Sequence, residues 1–287
     1  MTVLAAGLIT LLPFSALAAG HDAVGAGKKG KAAALPALGE PERAQSGARE
    51  PSGVSFDPRS GHLFLVGDEG RLVELDGEGK LLARHVVEGD IEDVAVHPPS
   101  GLVILLSERK GTLVVFDVAQ GRARREIRLD TPALLGKDPA DRNQGFEGLA
   151  FRAEKGRPGG GIFYLVHQRA PAMVLSLAFD PASGKDVVGG EAVLARWPLE
   201  GRGDVTAATW VEALKRLVVI EDARDRLLLL REDGRPDGEI ALPGAQQEGL
   251  CLDASGTLWV ADDRAGLLRF PSALAVLRAA VAPSEGK

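Results

Sequence analysis

Five times along the chain a polar four-residue phrase leads into a short strand of alternating apolar residues. A turn cluster, a nearly all-apolar strand, a charged knot and a third apolar strand follow. The copies are EPSGVSFDPRSGHLFLVGDEGRLVELD from Glu50, DIEDVAVHPPSGLVILLSERKGTLVVFD from Asp90, and GFEGLAFRAEKGRPGGGIFYLVHQRAPAMVLSLAFD from Gly145. DVTAATWVEALKRLVVIEDARDRLLLLRED from Asp204 and QQEGLCLDASGTLWVADDRAGLLRF from Gln246 complete the set. A period of two, broken by Pro, Ser, Gly and Asp clusters and never by a helical period, predicts an all-β array. Copies starting at 50, 90, 145, 204 and 246 have the size of four-stranded propeller blades. The pattern predicts a β-propeller of five blades, or six if the residues before Glu50 and after Phe270 form another sheet. The last copy has no clear fourth strand, so residues 33 to 47 are expected to supply it and close the ring. A short helix is expected over SALAVLRAAV.

In an antiparallel blade the first strand leaves one face of the disc and the second returns to it, so entry phrase and knot are neighbours. Applied to every copy, this collects acids around one end of the axis. Glu147 and Glu248 hold the third position of GFEG and QQEG, Glu92 holds it in DIED, and Ser52 and Thr206 hold it in the other two copies. These three glutamates, with Asp90, Asp204 and Glu50, are the expected ligands of a hard cation. The knots add Asp68, Glu69, Glu108, Arg109, His167, Arg169, Glu221, Asp222, Asp262, Asp263 and Arg264 to a ligand-binding face. Carboxylate and carbonyl oxygens suit Ca2+. Five scattered histidines and a single cysteine do not suit zinc. The alternative is that Arg109, Arg169, Arg224 and Arg264 neutralise the ring through carboxylate pairs.

Composition adds boundaries. A chain of 287 residues, 45% apolar, can bury a substantial core, and a net charge of −6 gives no electrostatic reason to expect nucleic acid. Residues 3 to 19, VLAAGLITLLPFSALAA, read as an export signal ending in Ala16-Leu17-Ala18, or as a retained membrane anchor; no Lys or Arg precedes the run. Residues 1–19 are therefore signal or anchor, and 20–48 a linker that includes GKKGK, a cluster able to touch anionic lipid. The propeller spans 49–271 and a C-terminal tail 272–287. Cys251 lies in an apolar strand with no partner cysteine and reads as a core residue.

No GxSxG elbow, phosphate loop or HExxH occurs, which removes the usual hydrolase and nucleotide signatures. GRGD at 201 to 204 straddles a blade start and reads as chance. The DG turns at 76 and 233 lack the oxygen spacing of an EF-hand. His167 is the one histidine in a knot, and so the one candidate general acid or base. The phrases EPSGVSFDP, DIEDVAVHP, GFEGLAF and QQEGLCLDASGTLWV, in this order with SER and DDR knots between them, resemble the SdiA-regulated (YjiK-like) family of exported bacterial β-propellers over about residues 48 to 271. The resemblance implies an envelope-located, calcium-binding propeller without an established molecular role. It would bind a small polar ligand or an envelope protein. The related esterase-like phytase group supplies the alternative, a metal-dependent hydrolase of phosphate or carboxylate esters in which Glu147 or Glu248 activates water.

Overall fold

The computed structural model describes residues 35–47, 49–67, 70–136, 145–169, 171–244 and 246–281. The export segment, the GKKGK stretch, Asp68 and Glu69 lie outside the described residues. Five sheets form around the axis, each built on antiparallel strands that follow one another outwards in chain order, except that the outermost strand of the fifth comes from the N-terminal end. Their inner strands are Pro51–Asp57, Asp93–His97, Phe146–Ala153, Val205–Val211 and Gln247–Leu252. Each inner strand packs beside the next, and the fifth packs beside the first, so the ring is closed. This is a five-bladed β-propeller. The stretches outside the repeats add no sixth blade. Glu42–Arg43 pairs antiparallel with Leu268 and Arg269 as the outer strand of blade five, and Ala273–Ala280 is helical.

The hydrophobic pattern follows from this layering. Middle strands are covered on both faces by neighbouring blades, so Leu102–Ser107 and Thr112–Asp117 are buried throughout. Outer strands have one wet face, and Leu81–Val86 alternates between partly buried and exposed. The core is a set of five wedges, one at each seam between blades. Cys251 is buried beside Trp259, Leu63 and Val73 in the wedge between blades five and one.

The turn clusters set the strand lengths. In DPRSG, Asp57 Oδ1 accepts from the Arg59 N–H at 2.9 Å, and Gly61 takes the left-handed conformation at φ +76° that ends the turn. In the long exit of blade three, Val187–Val188 pairs in parallel with Arg128–Leu129 and gives blade two a fifth strand.

Candidate functional site

The upper face is the one from which the inner strands start. In blades one, three, four and five the third residue of the entry phrase gets its direction there from a local irregularity. The ladder between first and second strands slips by one residue at Pro51/Gly53, Phe146/Gly148, Val205/Ala208 and Gln247/Gly249. The extra residue of a β-bulge is re-aimed, and here the slip spans Ser52, Glu147, Thr206 and Glu248. In blades one, three and five the residue that follows is glycine, because the ring is tight there. A Cβ at Gly148 would lie 2.8 Å from the Thr206 carbonyl oxygen, and one at Gly249 would lie 2.6 Å from Gly53 Cα.

Glu92, Glu147, Asp204, Asp222 and Glu248 together line one chamber of about 260 Å³ on the axis, with Gln168, Thr206 and Gln246 completing its wall. Every polar group there presents oxygen or an amide. Glu147 is the most perturbed, its pKa pushed up to about 9. Burial is the main cause, followed by the negative charges of Glu108, Glu92 and Glu248, and Arg169 offsets only part of this. Burial also raises Asp222, which accepts from the Gln247 N–H at 3.0 Å.

The other predicted residues fall outside the chamber wall. Asp90 pairs with Arg109 at 3.0 Å, and Arg169 pairs with Asp204 at 3.1 Å. Glu108 accepts from the Gly145 N–H at 2.8 Å, while Glu50 is exposed on the rim in a left-handed conformation, φ +44°. Asp263 is half-buried, and Arg264 is exposed with its backbone N–H donated to Asp262.

Glu221, Asp262 and His167 differ from expectation. Each is the last residue of a second strand or its equivalent, and each side chain turns inward. Glu221 is fully buried and held by Arg202 and Arg224, both at 3.2 Å. Asp262 is fully buried and accepts from the N–H groups of Arg264 at 3.1 Å and Ala265 at 2.7 Å, closing its own turn. His167 is buried, its Nδ1 donates to the Pro171 carbonyl at 2.8 Å and its ring meets Phe146 edge-on, so it is not placed as a solvent-facing acid or base. The arginine alternative thus holds at the rim and at Glu221, but not around Glu147.

One acid in the axis was not anticipated. Asp93 stands where the other inner strands carry Gly53, Gly148, Ala207 and Gly249. It is buried, its Oδ2 accepts from the Leu149 N–H of blade three at 2.6 Å, and burial raises its pKa well above the ordinary carboxyl value. The only sequence signal was an acid in the fourth position of DIED, where the other copies are small.

Among the described residues no three acidic, histidine or cysteine side chains already converge as a metal cage. The donors nonetheless fit a hard cation chemically, since the chamber offers carboxylate and amide oxygens and no soft ligand.

The fold and the axial chamber define the class: a closed five-bladed propeller with an acidic upper funnel. The family described as SdiA-regulated matches residues 41–270, and the chain belongs to it. Among curated proteins, none matches the chain in sequence. Similar solved structures include a glutaminyl cyclase from Myxococcus xanthus, with 15% identity, TM-score 0.55, and coverage of 80% of this chain and 93% of that one. A calcium-binding protein, regucalcin, from Agrobacterium tumefaciens strain C58 has 15% identity and TM-score 0.51, covering 83% and 95% of the two chains. At these identities the likeness is one of fold.

Proposed function

We propose that the protein is an exported calcium-binding propeller whose acidic funnel presents a face for a small polar ligand or an envelope protein. The observation that carries this is the crowding at Glu147. Three other carboxylates press on a carboxyl already partly removed from water, and its pKa stands at about 9. A divalent cation among Glu92, Glu147 and Glu248 would relieve that repulsion, with Asp204 and Asp222 supplying further oxygens. Fold likeness to a calcium-binding protein at 15% identity adds only architecture; the chamber carries the reading. Export rests on the apolar run at 3 to 19 and its Ala-x-Ala end. Mass spectrometry of the mature N-terminus in the native host tests export, and an intact Met1 in a soluble cytoplasmic fraction would refute it.

The hydrolytic alternative depends on the same cation. A carboxyl with a pKa of about 9 keeps its proton at neutral pH, so Glu147 has a base to offer water only once a bound cation lowers it. The deciding experiment for calcium is a melting curve with and without chelator. With a dissociation constant of about 10 micromolar, calcium at about 1 millimolar would add about 2.7 kcal/mol to stability. Chelator should lower the midpoint of the wild type and leave the Glu147→Gln, Glu248→Gln double variant unmoved. A wild type indifferent to chelator, with no metal found by elemental analysis, refutes the calcium site.

A further inference from the structure

The opposite end of the axis is built differently. Below Asp93 the five inner strands line a cavity of about 640 Å³, within the size range of small-molecule sites. Every blade contributes to its wall, and Leu274 of the C-terminal helix closes one side. Half-buried Phe56, Phe151, Trp210 and Leu252 give it an apolar, ring-rich lining, to which Thr209 adds a hydroxyl and Cys251 a thiol. The charged groups at its mouth already have partners. Arg152 lies 4.2 Å over the Trp210 ring and pairs with Glu232 at 3.2 Å. Glu212 accepts from Trp210 Nε1 at 2.7 Å and pairs with Lys215. Asp253 accepts from Trp259 Nε1 at 2.8 Å and from the Ser255 N–H at 2.8 Å. An ionic guest would have to break one of these pairs and bring its own charge into an apolar wall, a cost that an uncharged guest avoids. Each inner strand has a ladder partner on one side only, and although Val94, Val96 and Leu149 give their N–H groups to Asp93 and Ser55 side chains, the free edge still presents peptide C=O groups to the axis. These can accept from an N–H or O–H donor on a ring.

We propose that this lower cavity is a second binding site, separate from the acidic funnel, for an uncharged small molecule with an apolar, ring-bearing body. Titration of the full chain with the neutral fluorophore N-phenyl-1-naphthylamine tests it. Saturable binding of one probe per chain is expected. Thr209→Trp and Leu252→Trp, which extend a side chain into the cavity, should each weaken binding by about tenfold or more at unchanged circular dichroism. The Glu147→Gln, Glu248→Gln variant should bind as the wild type does, which separates this site from the funnel. Bound probe should also slow the reaction of Cys251, the chain's one cysteine, with a neutral disulfide reagent. Absence of saturable binding, or binding that survives both tryptophan variants, overturns the proposal. If neither tryptophan variant folds, the wild type decides: a Cys251 that reacts at the same rate with probe bound places the probe elsewhere and overturns it as well.

Discussion

In blades one and four the third residue of the entry phrase is Ser52 or Thr206, and its hydroxyl crosses the seam to the next blade. Ser52 Oγ donates to the Ile91 carbonyl and Thr206 Oγ1 to the Gln247 carbonyl, each at 2.8 Å and buried. Blades two, three and five carry Glu92, Glu147 and Glu248 at that position, and there the side chains line the axial chamber. The backbone site is equivalent; only the side chain's hydrogen-bonding sense differs. A hydroxyl always has a proton to give to a carbonyl, whereas a carboxyl has one only in its neutral form and, once ionised, is repelled by the same oxygen. One position thus serves two ends, fastening seams where it is Ser or Thr and concentrating charge where it is Glu. The lopsided site is a consequence of which blades carry which.

The largest expected effect concerns the glycine that blades one, three and five share after the third residue. Gly249→Ala would put a Cβ 2.6 Å from Gly53 Cα and 2.8 Å from the Ser52 carbonyl oxygen, both backbone atoms of blade one. A cost of about 3 kcal/mol or more is expected in chemical denaturation. Gly39→Ala, where nothing lies within 4 Å, should stay within about 0.5 kcal/mol of wild type. If Gly249→Ala were tolerated, tight closure of the inner strands would not be what aims the third-position side chains, and the comparison between blades would lose its common frame.

Next comes the proton on Glu147. Its pKa in the folded chain, about 9, lies above its ordinary value of 4.5. Between these values the unfolded chain has released the proton and the folded chain retains it, so stability is fully present below about pH 4.5 and falls as pH rises towards 9. The slope is at most about 1.4 kcal/mol per pH unit, or up to about 2.7 kcal/mol between about pH 6 and pH 8. Melting curves in chelator should show this decline, and Glu147→Gln should flatten it. Calcium should flatten it too, because a bound cation favours the ionised carboxylate. A wild type whose midpoint does not fall with pH in chelator would mean that Glu92 and Glu248 do not crowd Glu147.

Much of this was legible in the chain because propeller grammar is local. Alternation, turn clusters and the spacing of entry phrases are read within a few dozen residues, and they led to five blades and to an acid ring on one face. The inward turn of Glu221, Asp262 and His167 was not legible. The last residue of a strand faces the knot or the core according to a register shift of one, which no local pattern sets. The bulges were visible only indirectly, as Ser or Glu followed by Gly in SG and EG. Asp93 looked like one more acid of DIED, although its partner is the Leu149 N–H of the next blade, 56 positions away. The lower cavity could not be seen, because its lining consists of the apolar residues that sequence reading assigns to the core.

The smallest effect is also the most direct break of the comparison between blades. Ser52→Ala and Thr206→Val each remove one buried hydroxyl and leave the Ile91 or Gln247 carbonyl without that donor. Loss of a buried partner costs about 1.5 kcal/mol, half or less of what Gly249→Ala should cost. Thr206→Val keeps the branched shape, so packing against the seam is preserved and the hydrogen bond is what changes. Neither substitution removes a carboxylate, so calcium affinity measured by titration calorimetry should stay within about threefold of wild type. Thr206→Ser, which keeps the donor, should recover most of the stability. If instead Ser52→Ala were neutral in stability while calcium affinity collapsed, the hydroxyls would belong to the site rather than the seam. Blades one and four would then join the other three in holding the cation.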